Sequence, residues 1–315
     1  MSEKTQAEIL KEELFYSPDH ASYVCEDDEI AQADSFCEGY KKFLDACKTE
    51  REAAAFVLDL AKKEGYVEFD PNATYKAGDK VYYLNRSKAL ILCTFGTESL
   101  AKGVKILASH IDSPRLDLKP NPLYEDAELA LFKTHYYGGI KKYQWTAIPL
   151  ALHGVIYRRD GSCVTVRLGD EAGEPQFVVT DLLPHLDKKQ AGKPLEDAIL
   201  GENLNVLVGS RPFGKDKGSE MVKLNILKLL NDKYGITEAD FLSAELEMVP
   251  AFNAADIGFD RSMIGSYGHD DRVCAYPSVI AAFEAKNPAY TSVTVITDKE
   301  ETGSDGNTGL NSAYL

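Results

Sequence analysis

Apolar residues recur at helical spacing near the start of the chain, most clearly over residues 50–64. The apolar positions of this segment are Ala53, Phe56, Val57 and Leu60. They lie three or four residues apart, which places them on one face of a helix. Thr49, followed three residues later by Glu52, has the spacing of a capping box, and Gly65 suits the C-terminal stop. The pattern therefore predicts a helix here, the clearest of three in the opening of the chain.

Strand-like runs follow these helices. Three runs rich in β-branched and aromatic residues cover residues 80–84, 88–95 and 103–110, and the break at residues 85–87 predicts a hairpin turn. A later run over residues 291–297 ends just before an acid-rich turn. In open α/β sheets, ligands usually bind beyond the carboxyl ends of the strands. The acid-rich turn is therefore a candidate for chemistry.

The sequence pattern changes in the middle of the chain, where many short strand-like runs are separated by turn signals. Asp160 and Gly161, for example, are typical of a tight hairpin. A helical pattern over residues 221–234 is closed by Gly235. We interpret this region as a β-rich insertion in an α/β protein.

After this region, the sequence again contains patterns typical of strands and helices. Residues 244–251 are typical of a strand and residues 265–271 of a glycine-bearing loop. A helix is expected to start near Pro277. At 315 residues, the chain is long enough for one large α/β domain with a substantial insertion, or for two domains.

The chain is acidic, with 50 Asp and Glu against 35 Lys and Arg and a formal net charge of −15. Such a charge repels phosphate backbones and anionic membrane surfaces, so we expect no nucleic-acid partner and no membrane association. No segment approaches the length of apolar sequence that spans a membrane, and the opening MSEKTQAEILKEELFY has no apolar signal region. The expected location is cytoplasmic.

The cysteines are scattered through the chain without a C-x-x-C pair. They are Cys25, Cys37, Cys47, Cys93, Cys163 and Cys274. Most of them fall inside apolar or helical patterns. We therefore expect buried, reduced thiols.

Three loops combine an imidazole with several carboxylates. The residues are His110 and Asp112 in ASHIDSPRL, Asp270 and Asp271 in YGHDDRV, and Glu300 and Glu301 in TDKEETGS. Taken singly, such pairs are more often a satisfied structural histidine, a helix-capping acid or a solvated carboxylate. Their joint occurrence at strand and helix ends instead indicates a metal site. A carboxylate that bridges two divalent ions is a recurring device in hydrolases.

The adjacent Glu300 and Glu301 repel each other, so a fold that buries both must supply positive charge, from Lys or Arg or from metal ions. Adjacent residues of a turn point in different directions. One glutamate can therefore bind metal while the other handles protons. A zinc-bound water has a pKa near 7, and a free carboxylate nearby can take its proton and pass it to a leaving amine.

Longer motifs extend this pattern. In chain order they are ASHIDSPRLDLKP, HYYGGIKKYQW, VPAFNAADIGFDRSMIGSYGHDDRVCAY and TDKEETGS. Together they resemble the M18 family of metalloaminopeptidases, the aspartyl aminopeptidase and aminopeptidase I group, over essentially the whole chain. The resemblance implies a co-catalytic zinc exopeptidase-like α/β/α sandwich formed by residues 1–120 and 247–315. It also implies a β-rich dimerisation domain inserted at residues 121–246.

The resemblance assigns a role to each matched residue. His110 would bind one zinc ion, with Asp112 orienting its ring. Asp270 would bridge both ions, as the first acid of its Asp-Asp pair. Glu300 would be the general base, and Glu301 would bind the other zinc ion.

The resemblance also implies cofactors and partners. It implies two divalent ions in each active site, with zinc expected, although mixed histidine and carboxylate sites also accept cobalt and manganese. The substrates would be peptides with a free N-terminus. Dimers in this family pack into tetrahedral dodecamers, so a homo-oligomer is expected.

Two features depart from the family pattern. The pattern continues with another aspartate ligand and a final histidine ligand, whereas the last histidine here is His269 and the sequence ends at Leu315. We therefore expect that the chain lacks its C-terminal part and that its metal site is incomplete. After the Tyr-Gly-Gly motif, aspartyl aminopeptidases carry a histidine, and that place holds Tyr143, preceded by Lys141 and Lys142. These three are the candidate substrate-binding residues, and the preferred N-terminal residue stays open.

The leading hypothesis for the intact protein is a metal-dependent aminopeptidase that uses a two-zinc-activated water to remove one residue at a time. Another co-catalytic zinc amidohydrolase, such as a deacylase or a carboxypeptidase, is the alternative among enzymes. A catalytically inert assembly protein is the alternative outside enzymes.

Overall fold

The computed structural model of the protein describes residues 4–215 and 217–313. The chain divides into two compact units, residues 1–40 and 41–315. The first unit contains α1 (Gln6–Leu14), a 3-10 turn (Ala21–Tyr23) and most of α2 (Asp27–Ala46). Everything that bears on the candidate site belongs to the second unit.

The second unit mixes helices and strands. Its helices are α3 (Glu50–Lys63), α4 (Lys188–Ala191), α5 (Leu195–Ala198), α6 (Met221–Tyr234) and α7 (His269–Glu284). Its first strands are β1 (Val67–Glu68), β2 (Lys80–Asn85), β3 (Ala89–Thr94), β4 (Lys105–His110), β5 (Arg115–Asp126), β6 (Leu129–Tyr137) and β7 (Leu150–Tyr157). The others are β8 (Cys163–Leu168), β9 (Val206–Gly209), β10 (Ala244–Pro250), β11 (Ala255–Ile257), β12 (Met263–Gly265) and β13 (Ser292–Thr297).

A five-stranded mixed sheet carries the acid-rich turn. Its strand order is β1-β2-β3-β13-β4, and β13 runs parallel to β4. The register pairs Thr297 with His110, so both strands end at the same edge of the sheet. The predicted hairpin between β2 and β3 is confirmed, with Arg86 and Ser87 both at positive φ.

Helices pack against this sheet through aromatic and aliphatic side chains. Helix α3 contacts β2 and β3, and α7 contacts β3, β4 and β13. The ring of Phe43 lies 5.4 Å from that of Phe56 on α3 and 5.5 Å from that of Tyr276 on α7. The opposite face of the sheet is more open, since Tyr83 is 37% and Ile106 61% exposed. The predicted mixed α/β class is confirmed.

A six-stranded antiparallel sheet is built from the middle of the chain. Its order is β8-β7-β10-β5-β6-β9, and α6 packs against β5, β6 and β9. Side chains from the strands form its core, among them Leu116, Phe132, Leu152, Ile156 and Met248. The strands of this sheet begin at Arg115 and end at Pro250, beyond both predicted bounds of the insertion, 121–246. The division into domains stays a prediction.

Several local predictions are confirmed. Helix α3 begins after a capping box of Thr49 and Glu52. Helix α6 ends at Gly235, whose φ of 65° is the left-handed conformation that glycine adopts without strain. The hairpin between β7 and β8 turns at Asp160 and Gly161.

The predicted start of the last helix was wrong. Helix α7 begins at His269, and Pro277 lies inside it. The backbones of Asp270 and Asp271 are not helical, so regular helical dihedrals start at Arg272. The helix buries Arg272, Ala275, Val279, Ala282 and Phe283. Burial of this face outweighs the one backbone hydrogen bond that the proline cannot make.

The prediction of buried cysteines was also wrong. All six cysteines are free, but only Cys47 is buried. Cys25, Cys163 and Cys274 are exposed, and the remaining two are half-buried. An apolar pattern marks a strand or a helix, but it does not say which of its faces a cysteine occupies once the neighbouring elements have packed. Within the described residues, no helix is long and apolar enough to cross a membrane.

A buried histidine joins α3 to the six-stranded sheet. His153 on β7 is fully buried, with its Nδ1 atom 2.9 Å from Glu52 Oε1 and its Nε2 atom 2.8 Å from Asp170 Oδ2. Burial disfavours the imidazolium, but the two carboxylates outweigh it and raise the pKa of His153. Burial likewise opposes ionisation of the carboxylates, but hydrogen bonds with His153 lower the pKa of Glu52 and of Asp170.

This cluster predicts stability that is lost on the alkaline side. The pKa of His153 is raised above its ordinary value of 6.5, so its contribution is full below that value and disappears as the pH rises through the raised pKa. The pKa values of Glu52 and Asp170 are lowered, so the contribution of these carboxylates to stability is lost only as the pH falls into the acid range. We therefore expect His153→Gln to lower the free energy of unfolding more at about pH 6 than at about pH 9.

Urea unfolding at the two pH values measures this difference. The matched control is His135→Gln, because His135 is an exposed histidine on β6. An equal loss of stability by His153→Gln at both pH values would contradict a charged imidazole in the cluster.

Candidate metal centre

Three loops meet where β4 and β13 end. His110 is the last residue of β4, and the turn with Glu300 and Glu301 follows β13, its parallel neighbour. Helix α7, which contacts both strands, brings Asp270 to the same edge. Parallel pairing therefore explains why residues far apart in the sequence lie together.

Two carboxylates face one nitrogen of His110. The Nε2 atom lies 3.4 Å from Asp270 Oδ1 and 3.5 Å from Glu300 Oε2. The His110 side chain is only 9% exposed, whereas those of Asp270 and Glu300 are 87% and 55% exposed. The other nitrogen, Nδ1, lies 3.0 Å from the main-chain oxygen of Asp112 and 3.3 Å from its Oδ1 atom. One side of the ring is thus held by protein, and the other faces the exposed carboxylates.

Asp112 ties the three loops together. Its carboxylate is fully buried, and its Oδ1 atom accepts a hydrogen bond from the Glu300 N–H at 3.2 Å. Its Oδ2 atom accepts from the Glu301 N–H at 3.2 Å and from the Tyr137 hydroxyl at 2.6 Å. One side chain therefore fixes the orientation of the His110 ring and the backbone of the Glu300 turn.

The end of β6 also contacts the acid-rich turn. Gly138 has a φ of 73°, and a β-carbon there would lie 3.0 Å from Glu301 Oε2 and 3.1 Å from Glu301 Cβ. Any side chain at this position would push against Glu301. The neighbouring Tyr137, which bonds Asp112, also has its ring 4.9 Å from the Lys299 ammonium.

A buried arginine supports the loops from beneath. Arg272 is fully buried, and its guanidinium donates hydrogen bonds to the main-chain oxygens of Ile111 and Lys48. A β-carbon at Gly268 would lie 2.4 Å from Arg272 Nη1, so glycine is needed at that point. The Ser113 hydroxyl donates to the main-chain oxygen of Asp270 at 3.2 Å.

The electrostatic environment of the site favours positive charge at His110. Burial opposes the imidazolium, but hydrogen bonding and charge from Asp112 outweigh burial and raise the pKa of His110 to about 9. Burial also opposes ionisation of Asp112, but hydrogen bonds from His110 and Tyr137 outweigh it and lower the pKa of Asp112. Burial and then the charge of Asp112 raise the pKa of Glu301. A cation bound at Nε2 would take the place of the imidazole proton.

The chemistry of these donors fits a divalent cation. An imidazole nitrogen whose second nitrogen is held by a carboxylate, with further carboxylates facing it, is the donor type that zinc takes in catalytic sites. Within residues 4–215 and 217–313, however, no three His, Cys, Asp or Glu side chains are arranged so that all could hold one ion. The described part of the chain thus offers donors suited to zinc, but they do not form a complete set of ligands for one ion.

The structure brings together five of the residues singled out from the sequence, His110, Asp112, Asp270, Glu300 and Glu301. Asp271 takes another role, since its Oδ2 atom accepts the main-chain N–H of His110 at 3.3 Å. The metal-binding and catalytic roles themselves stay predictions.

The three candidate substrate-binding residues line a different cavity. Lys141, Lys142 and Tyr143 enclose about 460 Å³ together with Ile140 and residues 194–196. The Lys142 ammonium donates to the main-chain oxygen of Glu196 at 2.7 Å. Among the described residues, these three side chains form no hydrogen bond or ion pair with His110.

Sequence reasoning missed Tyr137 and Gly138 as parts of the site. Both lie in the quoted motif HYYGGIKKYQW, but nothing in its pattern says that the Tyr137 hydroxyl reaches Asp112. The glycine pair was the only available signal, because a close approach of backbone to another group often requires glycine.

Known proteins resemble this chain closely. The family model described as aminopeptidase I zinc metalloprotease (M18) matches residues 43–315. The probable M18 family aminopeptidase 1 of Clostridium acetobutylicum is 50% identical over 294 residues, which is 92% of this chain and 63% of that protein. The chain therefore spans less than two thirds of the length of this relative.

Solved structures give the same result. The crystal structure of an M18 family aminopeptidase from Thermotoga maritima superposes with a TM-score of 0.89 at 42% identity, covering 95% of this chain and 65% of that one. A structure described as the S. cerevisiae mApe1 dodecamer has a TM-score of 0.68 at 18% identity and covers 88% of this chain and 64% of that one, which shows a shared fold. With the family model matched over most of its length, the chain belongs to the aminopeptidase I zinc metalloprotease family, M18.

Proposed function

We propose that the protein is a metal-dependent aminopeptidase that hydrolyses the N-terminal residue from peptides. The observation that carries this proposal is the convergence of Asp270 and Glu300 on the Nε2 atom of His110, whose other nitrogen is held by Asp112. Membership of the M18 family supports it.

Three side chains are proposed to hold a pair of divalent ions. His110 and Glu301 would each supply one ligand, and the Asp270 carboxylate would be shared between the two ions. Zinc is the expected metal, although cobalt and manganese suit the same donors. When bound, the ion pair would polarise the scissile carbonyl and lower the pKa of the attacking water.

Glu300 is proposed as the general base. Its side chain is 55% exposed and reaches to 3.5 Å from the His110 ring, so it faces both solvent and the metal-binding side of the site. It takes a proton from the attacking water and passes it to the leaving amine. Asp112 keeps Glu300 in place through the main-chain N–H rather than through the side chain, which leaves the Glu300 carboxylate free to react.

The cavity formed by Lys141, Lys142 and Tyr143 is proposed to contribute to substrate binding. Lys141 and Tyr143 are exposed, and an ammonium group there would attract an acidic side chain of the substrate. Lys142 is already bonded to the main-chain oxygen of Glu196, so Lys141 is the better placed of the two lysines.

A homo-oligomer is proposed for the assembled protein. The support is the shared fold of the structure described as a dodecamer of S. cerevisiae mApe1. The β-rich segment, residues 121–246, is proposed as the dimerisation domain.

A pair of peptides tests the proposed reaction. The zinc-loaded protein is given one peptide with a free N-terminus and the same peptide with an acetylated N-terminus. We expect release of the first residue from the free peptide only, loss of turnover with a chelator, and recovery with added zinc. Preference for the acetylated peptide would indicate a deacylase, and release from the other end would indicate a carboxypeptidase. No hydrolysis of either peptide would favour an assembly role and overturn the proposal.

A further inference from the structure

A basic pocket lies beside the acid-rich turn. It encloses about 550 Å³, and its charged lining consists of Arg51, Arg86, Lys88, Lys299 and Glu245. Four cations therefore face one carboxylate, in a chain whose net charge is −15. Acidic residues outnumber basic ones along the chain as a whole, so composition alone does not account for this local excess of positive charge.

Two of the cations are paired within the wall of the pocket. The Glu245 carboxylate bonds the Arg51 guanidinium and lies 3.0 Å from the Lys88 ammonium. Lys88 also lies 3.1 Å from the buried Glu50 carboxylate. Arg51 and Lys88 are therefore held in place and largely neutralised.

The other two cations have no such partner. Among the described residues, no carboxylate lies within 4 Å of the Arg86 guanidinium or of the Lys299 ammonium. Lys299 instead has its ammonium 4.9 Å from the ring centroid of Tyr137, and its charge acts on the neighbouring buried Asp298 without a direct ion pair. Arg86 is exposed in the hairpin between β2 and β3, and Lys299 lies two residues after the end of β13. Two cations without a direct carboxylate partner among the described residues thus line one cavity.

Neutral donors complete the lining. Ser87, Tyr157 and Asn307 line the same cavity and carry hydroxyl or amide groups. Each can donate a hydrogen bond to an oxygen atom. Guanidinium and ammonium groups with added hydroxyl donors suit a compact oxyanion, since its oxygens accept from all of them.

We infer that this basic pocket binds a small multivalent oxyanion of the phosphate or sulfate class. A dianion matches the two unpaired cations, whereas a monovalent carboxylate such as acetate would neutralise only one. The inference is independent of the proposed peptidase activity, because binding is measured without turnover.

Calorimetric titration tests the inference. Inorganic pyrophosphate, sulfate and acetate are each titrated into the protein at low ionic strength. The protein is first treated with a chelator, because pyrophosphate could otherwise bind through a metal ion. The test variant is R86Q/K299Q, and the matched control is R159Q/K63Q, which removes the same charges from exposed positions elsewhere. Urea unfolding of all three proteins checks that they are folded.

We expect one pyrophosphate per chain, weaker sulfate binding and negligible acetate binding. R86Q/K299Q should weaken pyrophosphate binding by at least about tenfold, because each removed contact is a charge-assisted hydrogen bond. The control should change it by less than about twofold. Equal weakening by both double variants would mean a general effect of net charge and would overturn the inference, as would the absence of pyrophosphate binding.

Discussion

Replacement of Glu300 by glutamine is expected to lower the turnover of a free N-terminal peptide by about 10² to 10⁴-fold, the usual loss when a general base is removed. Glutamine keeps the size of the side chain but cannot take a proton. The Glu300 N–H bond to Asp112 comes from the main chain and is unaffected by the change. Zinc content and the unfolding midpoint should therefore stay as in the parent protein, while the rate constant for the chemical step falls.

The measurement is kcat and KM on one peptide, together with metal analysis of the same samples. Glu284→Gln provides the matched control, because Glu284 is an exposed glutamate at the end of α7. A Glu300→Gln protein with near-parental kcat would remove Glu300 from the proposed mechanism. A variant that loses zinc together with activity would indicate that Glu300 acts as a metal ligand instead.

Replacement of Asp112 by asparagine is expected to destabilise the folded chain by about 2 to 4 kcal/mol. Each carboxylate oxygen accepts from a different set of groups, Oδ1 from the Glu300 N–H and Oδ2 from the Glu301 N–H and the Tyr137 hydroxyl. In asparagine one of these oxygens becomes an NH₂ group. Whichever oxygen is lost, a donor then faces a donor inside a fully buried site.

The same change is expected to weaken zinc binding by about 10 to 100-fold, since groups that orient a metal-binding histidine have effects of this size. Urea unfolding gives the stability, and competition with a zinc-binding dye gives the affinity. Asp305→Asn is the control, because Asp305 is an exposed aspartate on the segment that follows β13. Lowered stability with unchanged zinc affinity would confine Asp112 to a structural role.

The sequence predicted much of the candidate site, because several of its parts come in short motifs. His110 and Asp112 are separated by one residue, and Glu300 and Glu301 are adjacent, so their grouping was visible before any fold was known. Tyr137 was different. Its bond to Asp112 depends on how β5 and β6 pair, and no local pattern encodes that pairing.

The basic pocket could not be predicted from the sequence either. Arg86 lies in the hairpin between β2 and β3, while Lys299 follows β13. In the sequence Arg86 belongs to a turn that also holds Lys88, whereas Lys299 lies between two acidic residues, so nothing in the sequence links them. They share one cavity only because β3 pairs with β13 and β2 pairs with β3.

The sequence by itself determined the local elements and the family. Helices α3 and α6 follow from apolar spacing and terminal signals within a few residues, such as the Thr49 capping box and Gly235. Only the tertiary structure decided the start of α7, the exposure of the cysteines and the register that places Thr297 opposite His110. The physical reason is how far apart in the chain the interacting residues lie. Caps and periodicity act over a few neighbouring residues, whereas register and burial depend on the free energy of packing between segments far apart in the chain.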